Sequence, residues 1–343
     1  MSTPKIKISA QSLIKSLFLI GGILTLFYIG KSIIMPLFLS AILAILLDIP
    51  VKIMKKWGMP NWFAITLSIL LMVVLFCLII WLVGSQINYM SEDWPTIKEK
   101  ATEKLNIFSE WANQSLHWDY KDYIESNKKL VQNAESFISS FLSSIMSLLS
   151  QSLIIFIYII LFLVQKQQFV TFSKKLFSNE QTVTLLLNDV AKITKSYFIG
   201  KGKIMLFLFI IYYIGFTLGS VPYALFLALF AATFSIIPYV GNIIGGGVAI
   251  VLSYLYAGST PALIVIGVIS ATQLLESYVL TPWIIGDNIN LNPFVTIFAI
   301  ILFSALWGVV GAIIALPLIG ILKVIFDYTK GMEAYAYMLK KED

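Results

Sequence analysis

Arginine is missing from the sequence altogether: all 24 basic residues are lysine. A site that grips phosphate or carboxylate through a planar guanidinium fork is therefore excluded, because an ammonium is a point charge without that geometry. There is one cysteine, Cys77, and one histidine, His117. A single thiol cannot form an intrachain disulfide. Zinc, haem and iron-sulfur centres each need several nitrogen or sulfur ligands, so no metal and no cofactor is expected. No glycine-rich loop ends in Lys-Ser or Lys-Thr, which argues against ATP hydrolysis, and no set of nucleophile, base and second acid marks a catalytic residue. Charge of either sign is scarce, at 12% of 343 residues against 59% hydrophobic ones, with a mean hydropathy of +0.88. So little charge cannot cover a water-soluble surface, and the chain reads as an integral membrane protein.

What it has instead is a series of apolar runs near the ~17–25 residues that a helix needs to cross a bilayer. Leu13 to Gly30 is followed at once by Ile33 to Ile49 with no small-residue cleavage site between them, which predicts a helical hairpin with Lys31 at its turn and not a removable leader. Lys5, Lys7 and Lys15 before it and Lys52, Lys55 and Lys56 after it place the N-terminus in the cytoplasm under the positive-inside rule. A third span covers Trp62 to Val83, and Asp48 is expected at the interface. Gln86 to Leu149 then carries nine acidic residues against six lysines, with apolar residues such as Leu105, Phe108 and Trp111 at helical spacing. It reads as an amphipathic segment outside the membrane, suited to lying on the bilayer or packing on a neighbouring subunit. After a fourth span ending at Val164, Gln165 to Lys203 carries seven lysines against Glu180 and Asp189, with Lys195, Lys201 and Lys203 expected at lipid headgroups. The formal charge of +6 is thus a topological signal and not one for nucleic acid.

The expected organisation is residues 1–84 as N-terminal membrane helices, 85–149 as the extracytoplasmic segment, 150–203 as the fourth span with the lysine-rich segment, 204–328 as a membrane transport core, and 329–343 as a cytoplasmic tail. Within the core, Gly241 to Leu252 aligns without gaps on Gly311 to Leu322, and Pro222 and Pro293 open the two units at nearly the same offset. Three crossings between matching elements would invert the second unit, the plan by which many secondary transporters frame a site near the midplane. Helix breaks fall at Pro238 to Asn242 and from Thr281-Pro282 through Gly286 to Pro293, with Gly308 and Gly311 in the second unit. Such breaks expose backbone carbonyls and helix ends to solutes, and Pro238, Gly241, Pro282, Gly286, Pro293, Gly308 and Gly311 are the candidate breaks and gates. Gly241 and Gly245, Gly267 and Ala271, and Gly311 and Ala315 are small pairs at four-residue spacing, the pattern of close helix packing. Glu276 lies well inside an apolar span, where a carboxylate must be neutral, paired or wetted. Gln273 is three residues earlier on the same helix face, and Asn242 follows the first break. These three are the candidate substrate or ion ligands, with no cation evident in the sequence to pair with Glu276.

Gln273-Leu-Leu-Glu276, Leu280-Thr-Pro282-Trp-Ile-Ile-Gly286, Leu291-Asn-Pro293, Gly308-Val-Val-Gly311 to Ala315-Leu-Pro317 and Ile237-Pro238-Tyr239-Val240-Gly241 together resemble the signature of the autoinducer-2 exporter family of bacterial inner-membrane proteins. The resemblance extends to the layout of nearly the whole chain and is most specific from Tyr197 to Phe326. It implies an all-α polytopic protein of about eight spans with broken or re-entrant helices. It further implies residence in the bacterial inner membrane with both termini cytoplasmic, and a homo-oligomer. The function implied is export of a small polar solute such as autoinducer-2, coupled to a proton or sodium gradient. Monovalent cation/proton antiport is the alternative within the class, and a non-transporting scaffold binding a partner through residues 85–149 is the alternative outside it. Membrane lipid and a small solute or monovalent cation are the expected partners.

Overall fold

The computed structural model describes residues 10–116, 152–177, 179–238, 240–286 and 290–341. Among them the architecture is all-α, and the one extended pairing is an isolated antiparallel bridge between Leu291 and Lys340. The helices are α1 (Ala10–Ile29), α2 (Lys31–Lys56), α3 (Asn61–Glu92), α4 (Trp94–Leu116), α5 (Ser152–Val164), α6 (Lys166–Leu176), α7 (Glu180–Leu218) and α8 (Ala224–Phe234). They continue with α9 (Gly247–Ala257), α10 (Ser259–Leu275), α11 (Thr281–Ile284), α12 (Pro293–Asp327) and α13 (Glu333–Leu339). Two π-helical turns, Asn242–Gly246 and Glu276–Leu280, precede α9 and follow α10.

Among the described residues, five stretches are long and apolar enough to cross a bilayer: Lys31–Lys56, Asn61–Ile79, Glu180–Leu218, Ser259–Ile284 and Pro293–Asp327. The α5–α6 pair, bent by 68°, makes a sixth if it counts as one span. Leu17–Ile29, Ala224–Phe234 and Asn242–Ala257 are apolar but shorter. At 1.5 Å per residue they reach roughly 16–24 Å, less than the ~30 Å of hydrocarbon. The chain groups into two compact units, one of Met1–Ile45, Ile154–Val190 and Leu291–Asp343, the other of Leu46–Leu153 and Ala191–Asn290.

In the first unit, α12 is not a straight rod. Gly308 has φ 64° and ψ −145°, a conformation open essentially to glycine alone. The place a Cβ would take at Gly311 is already filled by the carbonyl of Phe303, eight positions earlier and about 12 Å away in a straight helix. The chain therefore folds back at Gly308 into two arms, and the absence of a Cβ at Gly311 lets them touch. Trp307, at the bend, stacks on Phe27 and Phe38 with centroids 5.5 and 5.7 Å away and donates its indole N–H to the Phe27 carbonyl at 3.1 Å. Phe27 and Phe38 themselves lie 5.9 Å apart, so the chain bends between α1 and α2.

The second unit repeats the device. After α8 the chain turns through Ser235 to Pro238 and re-enters a helix at Val240. A Cβ at Gly241 would meet the Ala231 carbonyl, and one at Gly245 would lie 2.6 Å from the Ala231 methyl. The aligned glycines Gly241 and Gly311 thus do the same job, each admitting the backbone of the preceding arm. Gly267 does not belong with them: nothing lies within 4 Å of its Cβ position, so it is not a packing glycine. The core of this unit is a stripe on α7, Ile204, Leu208, Tyr212 and Phe216, all fully buried against Ala228, Ala231, Ala249 and Val265. The apolar side of α4 enters that core through Ile97, while Lys100 lies over the Tyr256 ring at 4.9 Å. This part of the segment from Gln86 to Leu149 accordingly packs on its own unit; the stretch beyond Leu116, with His117, lies outside the described residues.

Replacing Gly308 by valine should lower stability by about 1–3 kcal/mol through backbone strain alone, and Gly311→Val should do at least as much damage by parting the arms. Gly267→Ala should be neutral or stabilise slightly, by up to about 1 kcal/mol. Thermal unfolding of the purified protein in detergent ranks the three.

Candidate functional site

Where α8 ends, its last carbonyls accept from the N–H groups of Ser235, Ile236 and Ile237, which leaves the carbonyls of the turn, at Ser235 and Ile236, to find donors elsewhere. Two side chains of α7 supply donors. Lys201 Nζ donates to the Ser235 carbonyl at 2.8 Å, and the Tyr197 hydroxyl donates to the Ile236 carbonyl at 3.1 Å. Both residues fall on the buried stripe of α7, in register with Ile204 and Leu208. Lys201 is only 5% exposed, whereas Lys203, two positions on, faces outward. The expected anchoring of Lys201 at headgroups is thus overturned, because its helix phase turns it into the core.

Lys201 also resolves the problem of Glu276. Its ammonium lies 2.7 Å from Glu276 Oε1, and the carboxylate is 6% exposed. The cation that the sequence did not reveal is therefore 75 positions away, on α7. Glu276 opens the π-turn that continues α10, and such turns often accompany functional sites. A second, neutral chain of hydrogen bonds adjoins the ion pair. Tyr212 Oη donates to Asn242 Oδ1, Asn242 Nδ2 donates to Gln273 Oε1, and Gln273 Nε2 donates to Ser277 Oγ at 2.9 Å. Asn242 opens the other π-turn, so both turns present their first side chain to this cluster.

The structure brings together Asn242, Gln273 and Glu276 from the sequence-derived set, and adds Lys201, Tyr197, Tyr212, Ser235 and Ser277. Pro238 lies in the turn after α8, but Gly241 has helical angles (φ −57°, ψ −45°) and belongs to the helix after the break. Pro282 does not break its helix either. The span runs unbroken from Ser259 to Ile284, and the wider π-turn just before Pro282 gives its ring room against the preceding turn. The stop comes at Gly286, with φ +60°. Pro293, Gly308 and Gly311 belong to the first unit, where Pro293 takes the first position of α12 and Asn292 caps it by accepting from Phe294 N–H at 2.9 Å. Asp48 is 8% exposed and pairs with the exposed Lys52 at 3.1 Å and the half-buried Lys195 at 3.5 Å. No group of three or more metal-ligating side chains occurs among the described residues.

A family model of AI-2E family transporters matches residues 17–331. The chain belongs to the AI-2E transporter family. The putative transport protein YueF of Bacillus subtilis (strain 168) is 28% identical over 306 residues, covering 85% of this chain and 82% of the relative. The putative transport protein YhhT of Escherichia coli (strain K12) is 21% identical over 345 residues, covering 99% and 97%. The AI-2 transport protein TqsA of the same strain is 20% identical over 344 residues, covering 99% and 98%. Membership makes this AI-2E chain a membrane transporter.

Breaking a buried ion pair by removing one partner leaves the other charge stranded, at a cost of about 3–5 kcal/mol. Glu276→Gln and Lys201→Met should each lower the unfolding temperature sharply, while Lys201→Met combined with Glu276→Leu should lose less than either. Thermal melts of the four proteins in one detergent test this non-additivity.

Proposed function

We propose that this chain is a secondary transporter that exports a small polar solute, autoinducer-2 being the leading candidate, and that it is driven by a proton or sodium gradient through Glu276. The observation that carries the reading is the Lys201–Glu276 pair, whose ammonium also holds the Ser235 carbonyl in the turn after α8. With Glu276 ionised, Lys201 is held between it and Ser235, tying α7, the α8 turn and the α10 helix together. A proton or a sodium ion on Glu276 neutralises the carboxylate, and the ammonium no longer has its counter-charge. The three elements are then free to move apart, which is how occupancy by an ion becomes a change of shape. The Asn242–Gln273 amide pair supplies matched donors and acceptors to hydroxyls and carbonyls of a solute, and its members satisfy one another when it is empty.

The name of the relative TqsA supports autoinducer-2 as the first solute to try. The lysine distribution supports an inner-membrane protein with both termini in the cytoplasm. The two glycine-closed hairpins support a repeated transport core. Monovalent cation/proton antiport uses the same pair, with the ion itself as cargo.

Proteoliposomes with an imposed proton or sodium gradient separate these readings. The wild type should move autoinducer-2, or sodium or lithium, with a gradient-dependent rate. Lys201→Met with Glu276→Gln should abolish that dependence, and Gln273→Leu, which leaves the ion pair intact, should reduce solute flux while retaining coupling. Equal gradient-driven flux in the wild type and the double variant would refute the role given to Glu276.

A further inference from the structure

We infer that α6 is an interfacial helix that docks on anionic lipid, with Phe169, Phe172 and Leu176 at the acyl boundary and Lys174 and Lys175 at the headgroup phosphates. Three observations carry this. The apolar run of α5 ends at Val164, and at Gln165 the helix axis turns by 68°, so α6 leaves the direction of α5 where the lipid-like sequence stops. The next element is strongly two-faced, although none of its residues is buried. Phe169, Phe172 and Leu176 fall within about 60° of one another at 100° per residue and are 46%, 63% and 62% exposed. Val170, Ser173 and Lys174 are half-buried on a second side, and Gln167, Gln168, Thr171 and Lys175 face away on a third. The third observation is charge. The helix carries Lys166, Lys174 and Lys175 and no acid, and no aspartate or glutamate occurs anywhere from Ser136 to Asn179.

Exposed aromatics on one side of a helix that carries lysines and no acid, at the end of an apolar run, are complementary to an anionic bilayer surface, which offers both an acyl edge and phosphates. A water-facing role does not explain two phenylalanines and a leucine left open on one side. Phe162 packs on Phe169 at 5.3 Å between centroids, which fixes the bend and so the plane in which that side lies. Docked lipid would then hold the start of the segment leading into α7, the helix that carries Lys201.

The lone cysteine makes the test direct. In a Cys77→Ala background, a nitroxide is placed at Phe172→Cys or, as the control, at Thr171→Cys, and the full-length protein is reconstituted in phosphatidylcholine vesicles with or without phosphatidylglycerol. Relaxation by oxygen and by a water-soluble nickel chelate reads the depth of each label. The expected result is a label at 172 that favours oxygen, a label at 171 that favours nickel, and a deeper position at 172 when phosphatidylglycerol is present. Lys174→Gln and Lys175→Gln should each weaken docking on phosphatidylglycerol by about fivefold, and salt should mimic them. A label at 172 as open to nickel as the one at 171 would overturn the proposal. So would one shielded from both reagents, which would mean a protein cover such as a second copy, or a depth indifferent to phosphatidylglycerol and to both lysines.

Discussion

The second unit depends on how a broken helix satisfies its backbone in a medium without water. When α8 stops at Phe234, the next N–H groups reach back to its last carbonyls, and the carbonyls of the turn itself, at Ser235 and Ile236, need donors from another element. Tyr197 and Lys201 meet that need from α7, one with a hydroxyl and one with an ammonium. The ammonium does more, because it brings a full charge into a place where an unpaired ion costs several kcal/mol. Glu276 is the answer to that charge as much as Lys201 is the answer to Glu276. The turn carbonyl, the cation and the anion are linked through one ammonium, and removing either ion alone strands the other.

Close approach is the second condition. Lys201 reaches Ser235 and Glu276 together only because α7, the α8 turn and α10 lie within a side chain's length of each other. Gly215 and Gly219 permit this on α7, since Cβ positions there are already taken by Val268 and Val265 of α10. Gly241 and Gly245 permit it between α8 and the first π-turn, and Gly246 does so against Ile269. Without these glycines the polar groups would be separated by a layer of methyls, and the ion pair would have neither its distance nor its dry surroundings. The same economy closes the α12 hairpin through Gly308 and Gly311, where no ion pair is involved.

Much of this was legible in the sequence, and the failures have physical causes. Glu276 and Gln273 stood out because polar residues within an apolar span are costly and three-residue spacing shares a face. Asn242 stood out because it follows a proline and a glycine. Lys201 was hidden by its neighbours: beside Lys195 and Lys203, at the start of an apolar run, it reads as one more headgroup anchor. The signal that finds it is phase, since Tyr197, Lys201, Ile204, Leu208 and Tyr212 mark one stripe and Lys203 does not belong to it. Pro282 was misplaced as a break because proline usually ends helices, and the π-turn that accommodates it leaves no mark in composition. The folding of α4 onto α9 needed the third dimension, since an amphipathic stripe does not say what covers it.

The chemical identity of the cation has a consequence for how the site can work. A guanidinium in the place of Lys201 would stay charged under all conditions and would fit the carboxylate with two parallel bonds, making a lock. An ammonium has three rotatable donors and can give up its proton, so it can exchange acceptors one at a time without leaving a fork half filled. With one donor on Ser235 and one on Glu276, it can let go of the carboxylate while still holding the carbonyl. The absence of arginine extends over the entire chain, so it is not a choice made at this position. Its effect at this position is nonetheless specific: the buried pair that joins three helical elements is held by an ammonium whose donors to Ser235 and to Glu276 are separate, and not by a planar fork that would commit both to one acceptor.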